Sequence, residues 1–487
     1  MCLLVQMKRK ASSEPDCPQK RAKPEPKRVV WFPFAQDDLP NPVPAFSQHE
    51  SVELVVALFT ADLTSESFNP LLSLGLDQLS KINSIELCAP DWILICENQQ
   101  PKTPTQPQPL PADSKDEDDV PKVLTSFGQI VTTLKITQCD NSSFKEVCTL
   151  LAPIFPSVRN LSLAFVIEDD TPDTKLLSVV DQWPTLRAVN LEHNRISTSA
   201  IITLFRCSDE FSRLEHLNLS EAINNVDDDV IARCLVSHKK LVSLDLSRCY
   251  VGPKTLGAVA GLTLKPWKEQ PFKEDLKKLR QLVRCSSRDC SRPSTWSEFV
   301  DGFQTLELEH NKEQTGLLAL WLCNSKLESR PHDYRNNQSV LDQLVPGGRL
   351  QSSLLFIDFM GVNLKEPDVS AISYLRNLTG LGLCRTGLAA LDEKLWWKSV
   401  YTPFADVLDP LKRLGSLLSL WLDENYKLHA RQIYLTLARH MSSRCTIFVP
   451  NPGSIFYTSF NGHRGHEPND RNLTILDSYE AHFNRCR

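Results

Sequence analysis

Histidine, cysteine and carboxylate side chains are where reactive chemistry would have to arise in this chain, and their spacing supplies little of it. His193 and His216 are the histidines with the best chance of meeting, yet no partner in the sequence ties either to a nucleophile. The 15 cysteines are scattered and odd in number. Cys285 and Cys290, the closest pair, lack the second pair or nearby histidine that a tetrahedral zinc site requires. The sequence contains no GxxxxGK[ST] phosphate loop, no GxSxG elbow and no HExxH helix. No catalytic residue, metal or cofactor is therefore expected, and the thiols are expected to be reduced. The side chains with binding chemistry to offer are Trp321, Trp421, Asp245, Asp358, Glu192, His216, Asp423 and Arg385. What these share is a place in a repeated phrase.

The clearest copy of that phrase is Leu186-x-x-Val189-x-Leu191-x-x-Asn194-x-Ile196, and copies begin at Val131, Val158, Leu186, Leu214 and Leu241, at steps of 27, 28, 28 and 27 residues. Apolar residues at fixed offsets in so regular a period predict a stack in which each unit adds one strand and one helix. Between the phrases, Val230, Ile231, Cys234 and Leu235 fall on one helical face, as do Ala200, Ile201, Leu204 and Phe205. The phrase returns at Leu317, Leu354, Leu378 and Leu417 with steps of 37, 24 and 39, so loops interrupt the later units, notably over Glu328–Leu350 and Leu391–Pro410. A further match at Phe303 lies only 14 residues before Leu317, too close for both to be complete units.

The phrase resembles the leucine-rich repeat, and its period is similar to that of the ribonuclease-inhibitor-like subclass. The resemblance covers roughly Gln129 to Arg439. It implies an α/β leucine-rich repeat solenoid, with a curved parallel sheet on the concave side and helices on the convex side, used to bind proteins. It also implies that the position of Asn194, filled by Cys139 and Cys249 elsewhere, is a small buried group bonded to neighbouring backbone. Ala222 occupies that position in its own unit and removes the bond, which predicts an irregular loop there.

Strand alternation turns the repeat into a map: if the leucines at offsets three and five are buried, offsets two, four and six face the concave surface. The offset-four column then reads Lys135, Ser162, Asn190, Asn218, Asp245, Trp321, Asp358, Gly382 and Trp421. His216, Glu192, Ser247, Cys323, Arg385 and Asp423 flank it, with His193, Glu221, Arg248 and Glu424 just beyond the strands. On this map Trp321 and Trp421 are either anchors for a partner or are covered by an inserted loop that folds back on them. The acidic members lean the surface toward a basic partner.

Outside the repeats, residues 1–30 form a basic, proline-bearing arm expected to be disordered. Lys8 and Arg9, then Lys20, Arg21 and Lys23, make two clusters ten residues apart. Their spacing resembles a bipartite nuclear-import signal that an import receptor would read; an ordinary solvated basic tail is the plainer alternative. Residues 31–96 read as a helical N-terminal cap, with helices over Val52–Leu63 and Leu71–Ile82 and a strand at Asp91–Ile95. Residues 97–122 are a Pro/Gln-rich and acidic loop, 123–262 the regular repeats, and 263–300 a basic helical insertion. The insertion has Phe272, Leu276, Leu279 and Val283 at helical spacing, and its basic side reads as a solvated face rather than a nucleic-acid contact. Residues 301–444 hold the irregular repeats and 445–487 a C-terminal cap and tail.

The net charge of -5 gives no global attraction to nucleic acid, and no apolar run approaches the length of a membrane span. Together these features predict a non-enzymatic scaffold or adaptor in the nucleus, shared in part with the cytoplasm, binding proteins on the concave face. Two other readings stay open: the substrate-recognition subunit of a cullin-type ubiquitin ligase, with residues 31–96 docking the adaptor, and a small-GTPase activator. Activators of that kind that resemble this period carry acidic tails, whereas the tail here holds His463, Arg464, His466, Arg471, Arg485 and Arg487.

Overall fold

The computed structural model describes residues 131–137, 151–164, 182–202, 213–261, 273–283, 293–306, 316–327, 339–344, 350–388, 408–422 and 445–450, a few single positions within these spans excepted, and positions 425 and 437. Strand backbone alone is described at 27–31, 52–57, 82–88, 457–461 and 474–475.

Within the repeats each phrase contributes a short strand at offsets two to four. In chain order the strands are β1 (Lys27–Trp31), β2 (Val52–Ala57), β3 (Ile82–Cys88), β4 (Thr133–Thr137), β5 (Asn160–Ser162), β6 (Ala188–Asn190), β7 (His216–Asn218) and β8 (Ser243–Asp245). They continue as β9 (Tyr250–Val251), β10 (Ala319–Trp321), β11 (Lys326–Leu327), β12 (Phe356–Asp358), β13 (Gly380–Gly382), β14 (Ser419–Trp421), β15 (Thr446–Pro450), β16 (Tyr457–Asn461) and β17 (Thr474–Ile475). All but β9 and β11 join one sheet in chain order, parallel from β1 to β15 and antiparallel through β16 and β17. β9 and β11 pair separately.

The register explains the phrase. Leu134, Leu161, Val189, Leu217, Leu244, Leu320, Ile357, Leu381 and Leu420 pair strand to strand in one row, and all are buried. Stacking them removes one apolar side chain per unit from water on the same face, at about 1.5–3 kcal/mol each. Helices α1 (Asp228–Val236) and α2 (Pro253–Gly261) belong to this leucine face; α1 buries Val230, Ile231, Cys234 and Leu235 against it. Asp228, in the first turn of α1, accepts the backbone N–H groups of Gly252, Lys254 and Thr255, so one helix caps the start of the next. Among the described residues, later units close with 3₁₀ turns at Val340–Leu344 and Asp409–Arg413 or with a short helix at Glu366–Ile372, not with the full helix the subclass resemblance implies.

Three backbone devices recur from unit to unit. At offset eight Asn194, Cys249, Ser325 and Asn425 donate to the offset-five carbonyls of the preceding units, those of Leu163, Leu219, Leu246 and Leu383. At offset four Asn190, Asn218, Asp245 and Asp358 accept the N–H two residues on, at 2.8–3.0 Å. At offset seven His193, Glu221, Arg248, Asn324, Gly361 and Arg385 all take positive φ. The amides of the first five donate to the offset-six carbonyl of the next unit.

Several expectations are corrected. Val52–Ala57 and Ile82–Cys88 are strands of the sheet, paired in parallel with each other, so the helix readings of Val52–Ala57 and of Ile82 fail, while residues 58–63 and 71–81 lie outside the described residues. β1 begins at Lys27, inside the segment read as a disordered arm. Phe303 lies in a helix, so the match there is accidental and Leu317 begins the true unit. The loop at Ala222 is regular: Glu221 keeps φ 56°, and its amide bonds to Ser247 O at 2.9 Å without help from the missing side chain. Asp91–Ile95, Cys139, Cys285 and Cys290 lie outside the described residues, as do Lys8, Arg9, Lys20, Arg21 and Lys23.

Candidate functional site

Residues at offsets two and four point away from the leucines, onto the sheet's second face, which the repeat assigns to partners. In the structure the insertion between β8 and β10 lies on that face. It forms α3 (Lys273–Val283) and α4 (Trp296–Gln304). α4 starts where it does because Thr295 and Glu298 make a reciprocal capping box. Its apolar residues Trp296, Phe299, Val300 and Phe303 sit at i, i+3, i+4 and i+7, and all are buried. α3 buries Leu279 and Val283 in the same cluster, and its Leu282 fills the space left by the missing side chain of Gly302.

The contact with the sheet is aromatic. Phe303 and Phe299 meet the His216 ring edge-on at centroid distances of 5.1 and 6.3 Å, and Phe299 meets Trp321 at 5.6 Å. The row continues from Trp321 to Phe356 at 5.2 Å and from Phe356 to Trp421 at 6.4 Å. Polar ties hold both ends: Trp321 Nε1 donates to Ser294 O at 2.9 Å, while Gln304 and Asn160 exchange side-chain hydrogen bonds. His216 Nδ1 pairs with Ser243 Oγ at 2.8 Å.

This arrangement buries most of the expected partner surface. Trp321 is 3% exposed and Trp421 0%; the alternative in which an inserted segment folds back is the one realised for Trp321. His216 is buried beneath the two phenylalanines. Asp245 and Asp358 are also buried, and each accepts the backbone N–H of its own turn. Desolvation raises the Asp245 carboxyl to about 7 and that of Asp358 to about 6, which makes them poor standing contacts for a basic partner. The Asp358 carboxylate occupies the space that a side chain at Gly382 would take, with Pro293 above. Burial likewise drives the Cys249 thiol up to about 12 and Cys323 higher still, so neither is a nucleophile.

Of the expected site residues, Glu192 remains half-exposed and Arg385 exposed, and Asp423 lies outside the described residues. Glu192 borders, and Arg385 belongs to, a ridge the sequence reading had placed at the margin. Glu221 accepts from Arg248 Nη1 at 2.9 Å and pairs with His193 Nδ1 at 3.0 Å, a three-unit ladder in the open. Arg248 foremost, then His193, holds the Glu221 carboxyl below its ordinary range. Asn324 and Arg385 extend the same row.

Sequence reading missed Trp296, Phe299 and Phe303. The signal was present as Thr295-x-x-Glu298 ahead of an i, i+3, i+4, i+7 apolar set, but Phe303 had been read as a repeat position.

In the repeats one row of leucine-type side chains is buried across nine parallel strands, and the offset-eight side chains tie each unit to the one before. This is a leucine-rich repeat fold. No family model matches the chain, and no curated protein sequence does. Among solved structures, the repeat chain is similar to the leucine-rich repeat-containing protein LegL7 from Legionella pneumophila, at 15% identity and TM-score 0.35 over 71% of this chain and 88% of that one. It is also similar to TLR13, solved as its complex with ssRNA13, at 13% identity and TM-score 0.23 over 82% of this chain and 58% of that one.

Proposed function

We propose that the protein is a non-enzymatic interaction scaffold of the nucleus, and that its standing partner surface is the ridge of His193, Glu221, Arg248, Asn324 and Arg385 with neighbouring Glu192, rather than the strand face. The observation that carries this reading is the positive φ at each of those five ridge positions. Glycine takes such a conformation with no steric cost, as Gly361 does in the same row. Asn and His tolerate it better than most residues, but at Glu221, Arg248 and Arg385, whose types seldom adopt it, a chain that keeps long charged side chains is displaying them.

Five basic residues, Lys8, Arg9, Lys20, Arg21 and Lys23, support nuclear delivery through an import receptor. The ligase reading is weakened because Val52–Ala57 and Ile82–Cys88 are strands of the sheet and not helices of an adaptor-docking module. The mixed signs of Glu221, Arg248 and Arg385 remove the earlier lean toward a purely basic partner.

The test is affinity capture from nuclear extract with the wild type beside an Arg248→Glu, Arg385→Glu double variant. The reading expects unchanged thermal stability and loss of the captured partners. Identical partners for both proteins would refute it. Alanine replacement of the five basic residues is expected to move a fluorescent fusion from nucleus to cytoplasm, and unchanged nuclear signal would remove the import reading.

A further inference from the structure

The segment on the second face is built as a ligand is built. α4 offers Trp296, Phe299, Val300 and Phe303 on one stripe, the spacing by which amphipathic helices enter apolar grooves. The receiving surface is the row His216, Trp321 and Phe356, supplied by three different strands.

Its seating is also poorly satisfied. Trp296 Nε1 and Arg280 Nε are buried with no hydrogen-bond partner among the described residues. Asp245 and Asp358, buried in the sheet on either side of Trp321, have no cationic partner among the described residues. On the leucine face opposite, by contrast, the buried offset-eight side chains Asn194, Cys249, Ser325 and Asn425 each donate to a backbone carbonyl. Buried polar groups without partners oppose docking, and a segment that docks against such a cost is the part of a protein that opens locally.

We propose that the groove over His216, Trp321 and Phe356 is a helix-binding site, that 293–304 is its resident competitor, and that its partner is an amphipathic helix with aromatic anchors at i, i+3 and i+7 and a preceding lysine or arginine. The resident sequence supplies the anchor chemistry. The basic residue would take the place of Pro293 and Ser294, which lie beside Asp358 and Trp321, and would supply the cation that the resident segment does not, drawing the two buried carboxyls into their ionised form. This rests on the scaffold reading but uses a different surface, so ridge variants and groove occupancy can fail independently.

The probes are a labelled synthetic peptide of residues 293–306 and the same peptide carrying Ser294→Arg. Each is titrated into full-length wild type and into the Phe299→Ala, Phe303→Ala double variant, with Phe303→Ala alone as a milder opening. Because a groove occupied most of the time lowers apparent affinity by its free fraction, the double variant is expected to bind the resident peptide at least about tenfold tighter than wild type, with the single variant between. The Ser294→Arg peptide is expected to bind the opened groove about tenfold tighter again, the low end of what one favourable buried charge pair gives. Equal binding by folded wild type and variants would overturn the proposal. If the double variant fails to fold, the single variant decides on the same criterion. An arginine peptide that binds no tighter than the resident one would overturn the basic component.

Discussion

One sheet carries two apolar faces made from alternate residues of the same strands, and they are stabilised in different ways. On the leucine face Leu244, Leu320, Ile357 and Leu381 pack against their counterparts in adjoining units, so every unit repeats the same contact. On the second face His216, Trp321 and Phe356 pack against Phe299 and Phe303, which come from an insertion between β8 and β10. The first face is fixed by neighbours a repeat away. The second depends on a segment that can leave while the strands remain paired, so burial alone does not measure how permanently a surface is closed.

That contrast can be broken by mutation. Leu320→Ala is expected to cost about 3–5 kcal/mol in urea unfolding, because it opens a cavity in the stack. Trp321→Ala, the next residue and a larger side chain, is expected to cost less, about 1–3 kcal/mol, since its loss is bounded by the docking of α3 and α4. Equal or larger destabilisation by Trp321→Ala would merge the two faces into one core.

Asp245 gives a pH-dependent version of the same test. Its carboxyl rises from 3.8 to about 7 on folding, through burial first and the nearby Glu192 and Asp358 charges last. A pKa raised in the native state means that the stability contribution is complete below the unfolded pKa and is lost as pH climbs through about 7. Asn190 and Asn218 already fill this position in neighbouring units, each accepting the N–H two residues on. Asp245→Asn is therefore expected to gain about 1–3 kcal/mol at pH 8 and nothing at pH 4. A gain that is the same at both values would show that charge is not the cause.

The smallest effect belongs to the ridge. Arg248→Ala breaks an ion pair whose side chains are 53% and 42% exposed, so a stability change of no more than about 1 kcal/mol is expected. A larger loss would make the ladder structural and weaken its reading as a partner surface.

The leucine face was legible because it is written repeatedly: Leu186, Val189 and Leu191 recur at fixed offsets, and the same spacing gave strand position, inward side chains and the bonding role of Asn194. The second face was legible only in its columns. Alternation placed His216, Trp321 and Trp421 away from the leucines correctly, but exposure there depends on Trp296, Phe299 and Phe303, whose docking repeats nowhere in the chain. A segment that occurs once leaves no period to read. β2 was missed because Val52, Leu54, Val55 and Val56 fit both periods over so short a run, and only pairing with β1 and β3 decides. The positive φ of the ridge was not legible, since Glu221, Arg248 and Arg385 carry no side-chain preference for it and His193 only a modest one.

Native-state hydrogen exchange of the wild type tests the central claim most directly, by comparing the amides of α4, Trp296–Gln304, with those of β8, β10 and β12. A resident helix that docks reversibly on a permanent sheet exchanges roughly a hundredfold or more faster than those strands, through local opening. If α4 exchanges at the same rate as the strands and shares their dependence on denaturant, the two faces form one core and the account is wrong.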